Sequence, residues 1–207
     1  MNQMLDIFLP YCLLYPAKRF KLSHNARISV DLEPHKTYSE RVSRALNLNP
    51  AHIIESEHSL RADEIKLRLV LGDINIQRSR RDLQFVFVNN RPVYSRSIAF
   101  HLNEVYRLLL PPKVYPFFCV FIELPAAEVD VNIHPAKREI KIRNEETLLS
   151  LLRQACEHSL MKNSKPRQAP GSLLRESQAS YQPAAVAQQE KFVETTFDFA
   201  VEEGKRP

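Results

Sequence analysis

The stretch LQFVFV, Leu83 to Val88, is apolar at nearly every position, and this constrains the fold more than any other feature of the chain. A strand with one wet face alternates apolar and polar side chains. One without that alternation reads as a central strand buried on both faces. A second apolar run, PFFCVFIEL, Pro116 to Leu124, reads as another strand. Between them SRSIAFHLNEVYRLLL keeps Ile98, Leu102, Val105 and Leu109 at helical spacing, until Pro111 and Pro112 stop the helix.

The remaining segments add elements of both kinds. LDIFLPYCLLYP reads as a helix carrying Pro10 and ended by Pro16. RFKLSHNARISVDL alternates on both sides of HNA, as two strands joined by a tight turn do. TYSERVSRALNL sets Tyr38, Val42, Ala45 and Leu46 on one helical face, with Thr37 placed to cap it. HIIESEH is a short strand, and EIKLRLVLG alternates as a half-exposed one. EVDVNIH and REIKIR are strands on either side of a proline. EETLLSLLRQACEHSLMK is a helix with acids at its start and a lysine at its end, as the helix dipole favours. Mixed strands and helices without a strict alternation define an α+β class.

Composition closes off several functions. Glycine occurs only at 72, 171 and 204, which excludes a glycine-rich phosphate loop within this chain. Cys12, Cys119 and Cys156 are far apart in apolar contexts, which argues for buried thiols rather than disulfides or a zinc site. No apolar run is long enough to span a bilayer. From Asn163 onward six basic and six acidic residues cancel, so the net charge of +5 belongs to the part before it. After about Lys162 apolar periodicity is lost and Gln, Ser, Ala and Pro dominate, as in a disordered linker. Within it, FVETTFDFAVEE is acidic and aromatic, and reads either as a solvated tail or as a docking segment.

Three stretches carry candidate functional residues. IQRSRRD holds Arg78, Arg80 and Arg81 close together, with Arg91 after the central strand and Arg96 at the start of the following helix. By spacing alone these are either solvated surface arginines or a set that tracks a phosphate backbone. VNNRPVYSRS reads as a turn fixed by Pro92. In DVNIHPAKREI a lysine, Lys137, follows a proline by two residues at the break between two strands. It is either an ordinary surface lysine or an ammonium held rigidly toward a phosphate. His134 has no Ser or Cys nucleophile near it in sequence and reads as structural.

Taken together, FVFVNNRPVYSRSIAFHLNEVY and VDVNIHPAKREIKI resemble the MutL family of DNA mismatch-repair proteins. The similarity is to the domain that follows the family's GHKL-type ATPase module, whose motifs read F-V-N-G-R and D-V-N-V-H-P-x-K-x-E-V. RDLQFVFVNNR and the RFKLSHNARISVDL hairpin add to it, and the match covers roughly three quarters of the chain. The resemblance implies a transducer of the ribosomal-protein domain-2 fold. That fold has a mixed β-sheet, helices on one side and a left-handed βαβ crossover.

The resemblance also assigns roles. Lys137 matches the lysine that reaches the γ-phosphate of ATP in the neighbouring module, with Asn132, His134 and Pro135 supporting its loop. Arg91 matches a basic residue implicated in DNA binding. Asn90 stands where the family has glycine, and asparagine tolerates a left-handed backbone. The implied organisation is a joining helix over 1–16, a transducer over 17–162 and a linker over 163–207. The ATPase and dimerisation modules lie outside the chain.

Alone the chain is expected to hold no cofactor and to hydrolyse nothing; ATP with magnesium belongs to it only together with the ATPase module, in cis or in trans. The implied partners are DNA without sequence preference and a mismatch-recognition protein. Dimerisation is expected of the full-length protein, no membrane is involved, and the setting is the bacterial cytoplasm and nucleoid. Two other readings stay open. One is a stand-alone nucleic-acid-binding module of this fold; the other, which NNRPV and NIHPAK disfavour, is the transducer of a type II topoisomerase.

Overall fold

A computed structural model describes residues 2–24, 27–60, 64–130 and 140–163. All of these fall in one compact unit, Met1–Arg167; the second unit, Gln168–Pro207, lies outside the described residues, as does the expected linker from residue 164 on. Helix α1 (Asn2–Leu14) carries Pro10 and leads into a hairpin of β1 (Phe20–His24) and β2 (Arg27–Leu32). Helix α2 (Tyr38–Leu46) begins where expected. The Thr37 side chain accepts from the Glu40 amide, and the Glu40 carboxylate accepts in return from the Thr37 amide. Such a box satisfies two of the otherwise orphaned groups at a helix start. The helix stops at Asn47, whose backbone is left-handed.

The main sheet has five strands in the order β3-β4-β9-β6-β7. These are β3 (Ile53–Leu60), β4 (Ile65–Gly72), β6 (Gln84–Val88), β7 (Arg91–Val93) and β9 (Phe118–Glu123). Two short ladders flank it: β5 (Gln77–Arg78) with β8 (Tyr115–Pro116), and β10 (Val129–Asp130) with β11 (Lys141–Ile142). All pairs are antiparallel except β6 with β9. A parallel pair cannot be closed by a hairpin, so the chain must cross over, and α3 (Arg96–Tyr106) makes that crossing. The last described element is α4 (Glu145–Asn163). The α+β class and mixed sheet expected from the sequence are therefore borne out.

Strand alternation divides the core in two. Leu67, Leu69 and Leu71 of β4, Val86 and Val88 of β6, and Val120 and Ile122 of β9 face α3 and α4. Val70, Phe87, Cys119 and Phe121 face the other way, against Leu13 and Leu14 of α1 and Val42 of α2. The expectation of helices on one side is corrected here: α3 and α4 fill one face, and α1 and α2 cover part of the other. The physical reason is the apolar character of β6 and β9 on both faces, which needs cover on both. It also explains why Val70 is fully buried although EIKLRLVLG reads as half-exposed; Lys66 alone on that face of β4 is exposed. The β4–β5 connection needs Gly72, because a Cβ there would meet the Ile76 side chain at 2.9 Å. Among the described residues no helix is long and apolar enough to cross a membrane.

Candidate functional site

The β6–β7 hairpin turns on Asn89 and Asn90, both left-handed with φ of 46° and 61°. Two consecutive positive φ values at the tip of a two-residue hairpin are the type I′ geometry, which asparagine adopts more readily than other side-chain-bearing residues. The turn is thus tolerated at the position where glycine was expected. It is also tied down: the Asn89 side chain donates to the Leu124 carbonyl at 3.0 Å and accepts from the Leu124 amide at 2.8 Å. Arg91 follows as the first residue of β7, opposite Val88 and exposed. Arg96 opens α3 after Ser95, whose hydroxyl caps the helix by accepting from the Ile98 amide at 3.2 Å.

The five arginines singled out from the sequence do not form one group. Arg78 lies in β5 opposite Tyr115, and the Arg81 guanidinium sits 4.7 Å over the Tyr115 ring. Arg80 is exposed between them. This trio precedes the start of β6, whereas Arg91 follows its end. Five strand residues separate the two by about 17 Å. Helix α3 spans the same distance. Asn103 and Tyr106 bond to Gln84 and Gly72 at the start-of-β6 end, which leaves Arg96 about two turns or more away. Arg91 and Arg96 have exposed aromatic neighbours, Tyr94 at 58% and Phe100 at 60%. Phe100 lies four residues after Arg96, on the same helical face. Sequence reasoning missed both aromatics, though the arginine-plus-four spacing was there to be read.

Lys137, Asn132, His134 and Pro135 lie outside the described residues. Their flanks are described. Val129 pairs with Ile142 and Asp130 with Lys141, so β10 and β11 bring the two ends of that stretch together. Ile142 is buried in the core against the α3–α4 face and anchors the ladder. The described residues do not by themselves fit magnesium–ATP. Among them no three His, Cys, Asp or Glu side chains come together to hold a metal. Gly72, the one described glycine, is closed in by Ile76 and Phe117 rather than facing open space.

Nor is there a reactive thiol. Burial pushes Cys12 up to about 11 and Cys156 up to about 12, and Cys119 well above its ordinary value. A thiol held protonated is a poor nucleophile and a poor metal ligand. A small cleft of about 110 Å³ opens on the sheet face beyond α2, lined by Tyr38, Arg68, Phe87, Asn90, Phe121 and Glu123 among others. Arg68 is already committed there, ion-paired to Glu57 at 2.6 Å and stacked 4.3 Å over Tyr38. Among the described residues this surface offers fixed cations and exposed aromatic rings, groups suited to binding.

Solved structures share the fold. The N-terminal domain of a DNA repair protein matches with a TM-score of 0.62 at 20% identity, over 78% of this chain and 53% of that one. The Aquifex aeolicus MutL ATPase domain, complexed with ADP, matches with a TM-score of 0.50 at 19% identity, over 80% of this chain and 49% of that one. The class so defined is a mixed-sheet α+β domain of the kind found in DNA repair proteins, consistent with the transducer fold. The particular family follows from sequence. The family model described as "DNA mismatch repair protein, C-terminal domain" matches residues 48–161. The DNA mismatch repair protein MutL of Koribacter versatilis is 33% identical over 153 residues, 74% of this chain and 23% of its own length. MutL of Thermoanaerobacter sp. is 24% identical over 206 residues, 98% of this chain and 33% of its own. This chain belongs to the MutL family of DNA mismatch-repair proteins, and it spans only a quarter to a third of the length of these relatives.

Proposed function

We propose that the chain is the transducer portion of a MutL-type protein, coupling ATP held by an adjoining ATPase module to DNA contact and to assembly of the repair complex. The observation that carries this reading is on α1. Met4, Ile7 and Tyr11, with Tyr15 just beyond the helix, recur at helical spacing and remain between 42% and 54% exposed. Later in the same helix Cys12, Leu13 and Leu14 are buried in the core. An exposed apolar stripe at helical spacing, on a helix whose one charged residue is Asp6, calls for cover, and an adjoining module supplies it. Lys137 is the contact to the γ-phosphate of ATP held there, and Asn132, His134 and Pro135 support it. DNA contact, without sequence preference, is centred on Arg91 and Arg96, with Tyr94 and Phe100 available to stack on bases.

The further partners of this reading are a mismatch-recognition protein and, for the full-length protein, a second copy. Its setting is the nucleoid, in the cytoplasm. A stand-alone nucleic-acid-binding module is the second reading, and the arginine–aromatic end favours it as much as the first. Adding a MutL-type ATPase module in trans separates the two. The expected result is direct binding, weakened by Ile7→Asp, together with a rise in ATP hydrolysis that Lys137→Ala removes. A lost charge-assisted bond to phosphate costs about 1.5–3 kcal/mol, so the gain should fall roughly tenfold to a hundredfold. Neither binding nor any rise in hydrolysis would leave the stand-alone module as the reading.

A further inference from the structure

The end of the domain beside the start of β6 carries a second surface that differs in chemistry from the arginine–aromatic end. The Tyr106 hydroxyl donates to the Gly72 carbonyl at 2.7 Å, which locks the end of α3 onto the β4–β5 connection. Just beyond these two residues Leu108 is 89% exposed, Leu109 46% and Ile74 49%. Leu109 is turned outward because α3 ends at Tyr106: the Leu109 and Leu110 amides both bond back to the Tyr106 carbonyl at 2.9 Å. Pro111 and Pro112 then stiffen the turn.

Cations lie in the segments that adjoin these aliphatic side chains. The β5–β8 ladder sets Arg78 opposite Tyr115, Arg81 stacks on that ring, and Arg80 is exposed beside it. From the other side come Lys113, exposed, and Arg107, exposed and paired with Glu104 at 3.2 Å. The acids within the β4–β5 and β5–β6 connections are Asp73 and Asp82. Asp73 is engaged by His52 at 2.8 Å and by Asn75 at 3.0 Å.

We propose that this end is a docking surface for an acidic peptide segment bearing aliphatic or aromatic side chains, supplied by a protein partner. Charge complementarity selects an acidic occupant. The exposed leucines then decide between the two acidic polymers that could come. A phosphate backbone offers nothing to an 89% exposed leucine, whereas an acidic peptide with apolar side chains covers the leucines and pairs the arginines at once. The other end shows the contrast, since there the exposed apolar groups are rings and suit stacked bases. The surface is rigid, being built on a ladder, a helix end and a double proline, so little ordering cost opposes binding.

The test is fluorescence anisotropy with the full chain and two labelled synthetic twelve-residue peptides of equal charge. One alternates glutamate with leucine and phenylalanine; the other alternates glutamate with serine. The apolar peptide should bind more tightly than the serine peptide. Leu108→Ser should weaken it about tenfold, as expected for one buried leucine, and Arg81→Glu should weaken it at least as much. Lys66→Gln, at the far end of β4, should leave it unchanged at about 0.15 M salt. Leu108 contributes nothing to the core, and circular dichroism melting of the variants checks that each is folded. Equal binding of the two peptides, no binding of either, or indifference to Leu108→Ser overturns the proposal. So does a result in which Leu108→Ser and Arg81→Glu weaken a labelled single-stranded oligonucleotide and leave the peptide unaffected, which assigns this end to nucleic acid.

Discussion

Arg41 is fully buried, and its partners among the described residues are backbone carbonyls. Its Nη2 donates to the carbonyls of Pro16 (2.6 Å) and Lys18, in the segment that follows the end of α1, and its Cζ lies 5.7 Å from the centroid of the Phe20 ring. Nε and Nη1 have no hydrogen-bond partner among the described residues, and burial lowers the pKa of the group. The side chain therefore bolts the α1–β1 connection to α2 at the cost of a desolvated cation. Arg41→Ala should destabilise the domain by about 2–4 kcal/mol, through a cavity and two abandoned carbonyls. Arg41→Met keeps the volume and removes the unpaired donors, so its loss should be smaller. Urea midpoints measure both, and equal losses would show that the two carbonyl bonds carry the whole effect. The thiols set an alkaline limit. Cys12 is raised from 9.0 to about 11 in the folded state, so the stability it contributes is complete below pH 9 and is lost as pH rises through about 11. Cys156 extends that loss toward 12, and Cys12→Ala should flatten the early part of the fall in the urea midpoint.

The contact of α4 with the edge strand β3 carries a polar seam. The Ser159 hydroxyl donates to the Ala155 carbonyl at 2.7 Å, Ser56 lies 2.7 Å from Ser159, and His58 Nε2 lies 3.0 Å from Ser159. His158 stands edge-on to His58 with ring centroids 6.0 Å apart. Burial first, and His158 second, lower the pKa of His58 below 6.5. A depressed histidine stabilises the fold fully above its ordinary pKa, and that contribution is lost as pH falls through the folded value. Amide exchange in the second half of α4, corrected for intrinsic rates, should therefore quicken as pH falls below 6.5, and His58→Gln should remove the change. None of this was legible in HIIESEH, because the seam joins residues about a hundred positions apart. What was legible was local. Thr37 with Glu40, Ile98 with Leu102 and Val105, and the alternation around HNA each state a period or a cap within a dozen residues. Arg41 was not legible, since a charged residue on a helix is read outward by default and its acceptors lie in another segment. Leu109 kept the α3 period and still turned outward, because the helix ended before reaching it.

At the scale of the whole molecule, the question is how a modest net charge of +5 is divided between partners. The five arginines could track one phosphate backbone only if both ends of β6 met it, across about 17 Å. Under the proposed division DNA takes the Arg91–Arg96 end alone. Counterion release makes the two arrangements distinguishable. Each phosphate contact adds about 0.9 to the slope of log K against log salt on duplex DNA, and about 0.7 on a single strand. Arg91→Glu should weaken binding of a labelled oligonucleotide at low salt and lower that slope by about one contact or more. Arg96→Gln should lower it by about one. Arg81→Glu should leave the slope nearly unchanged, apart from a long-range loss that disappears above about 0.15 M salt, where the Debye length is shorter than the separation of the two ends. Titrations from low to physiological ionic strength measure all three. Equal slope losses for Arg81→Glu and Arg91→Glu would restore a single DNA track along the sheet edge, and would remove the separate docking end from the molecule.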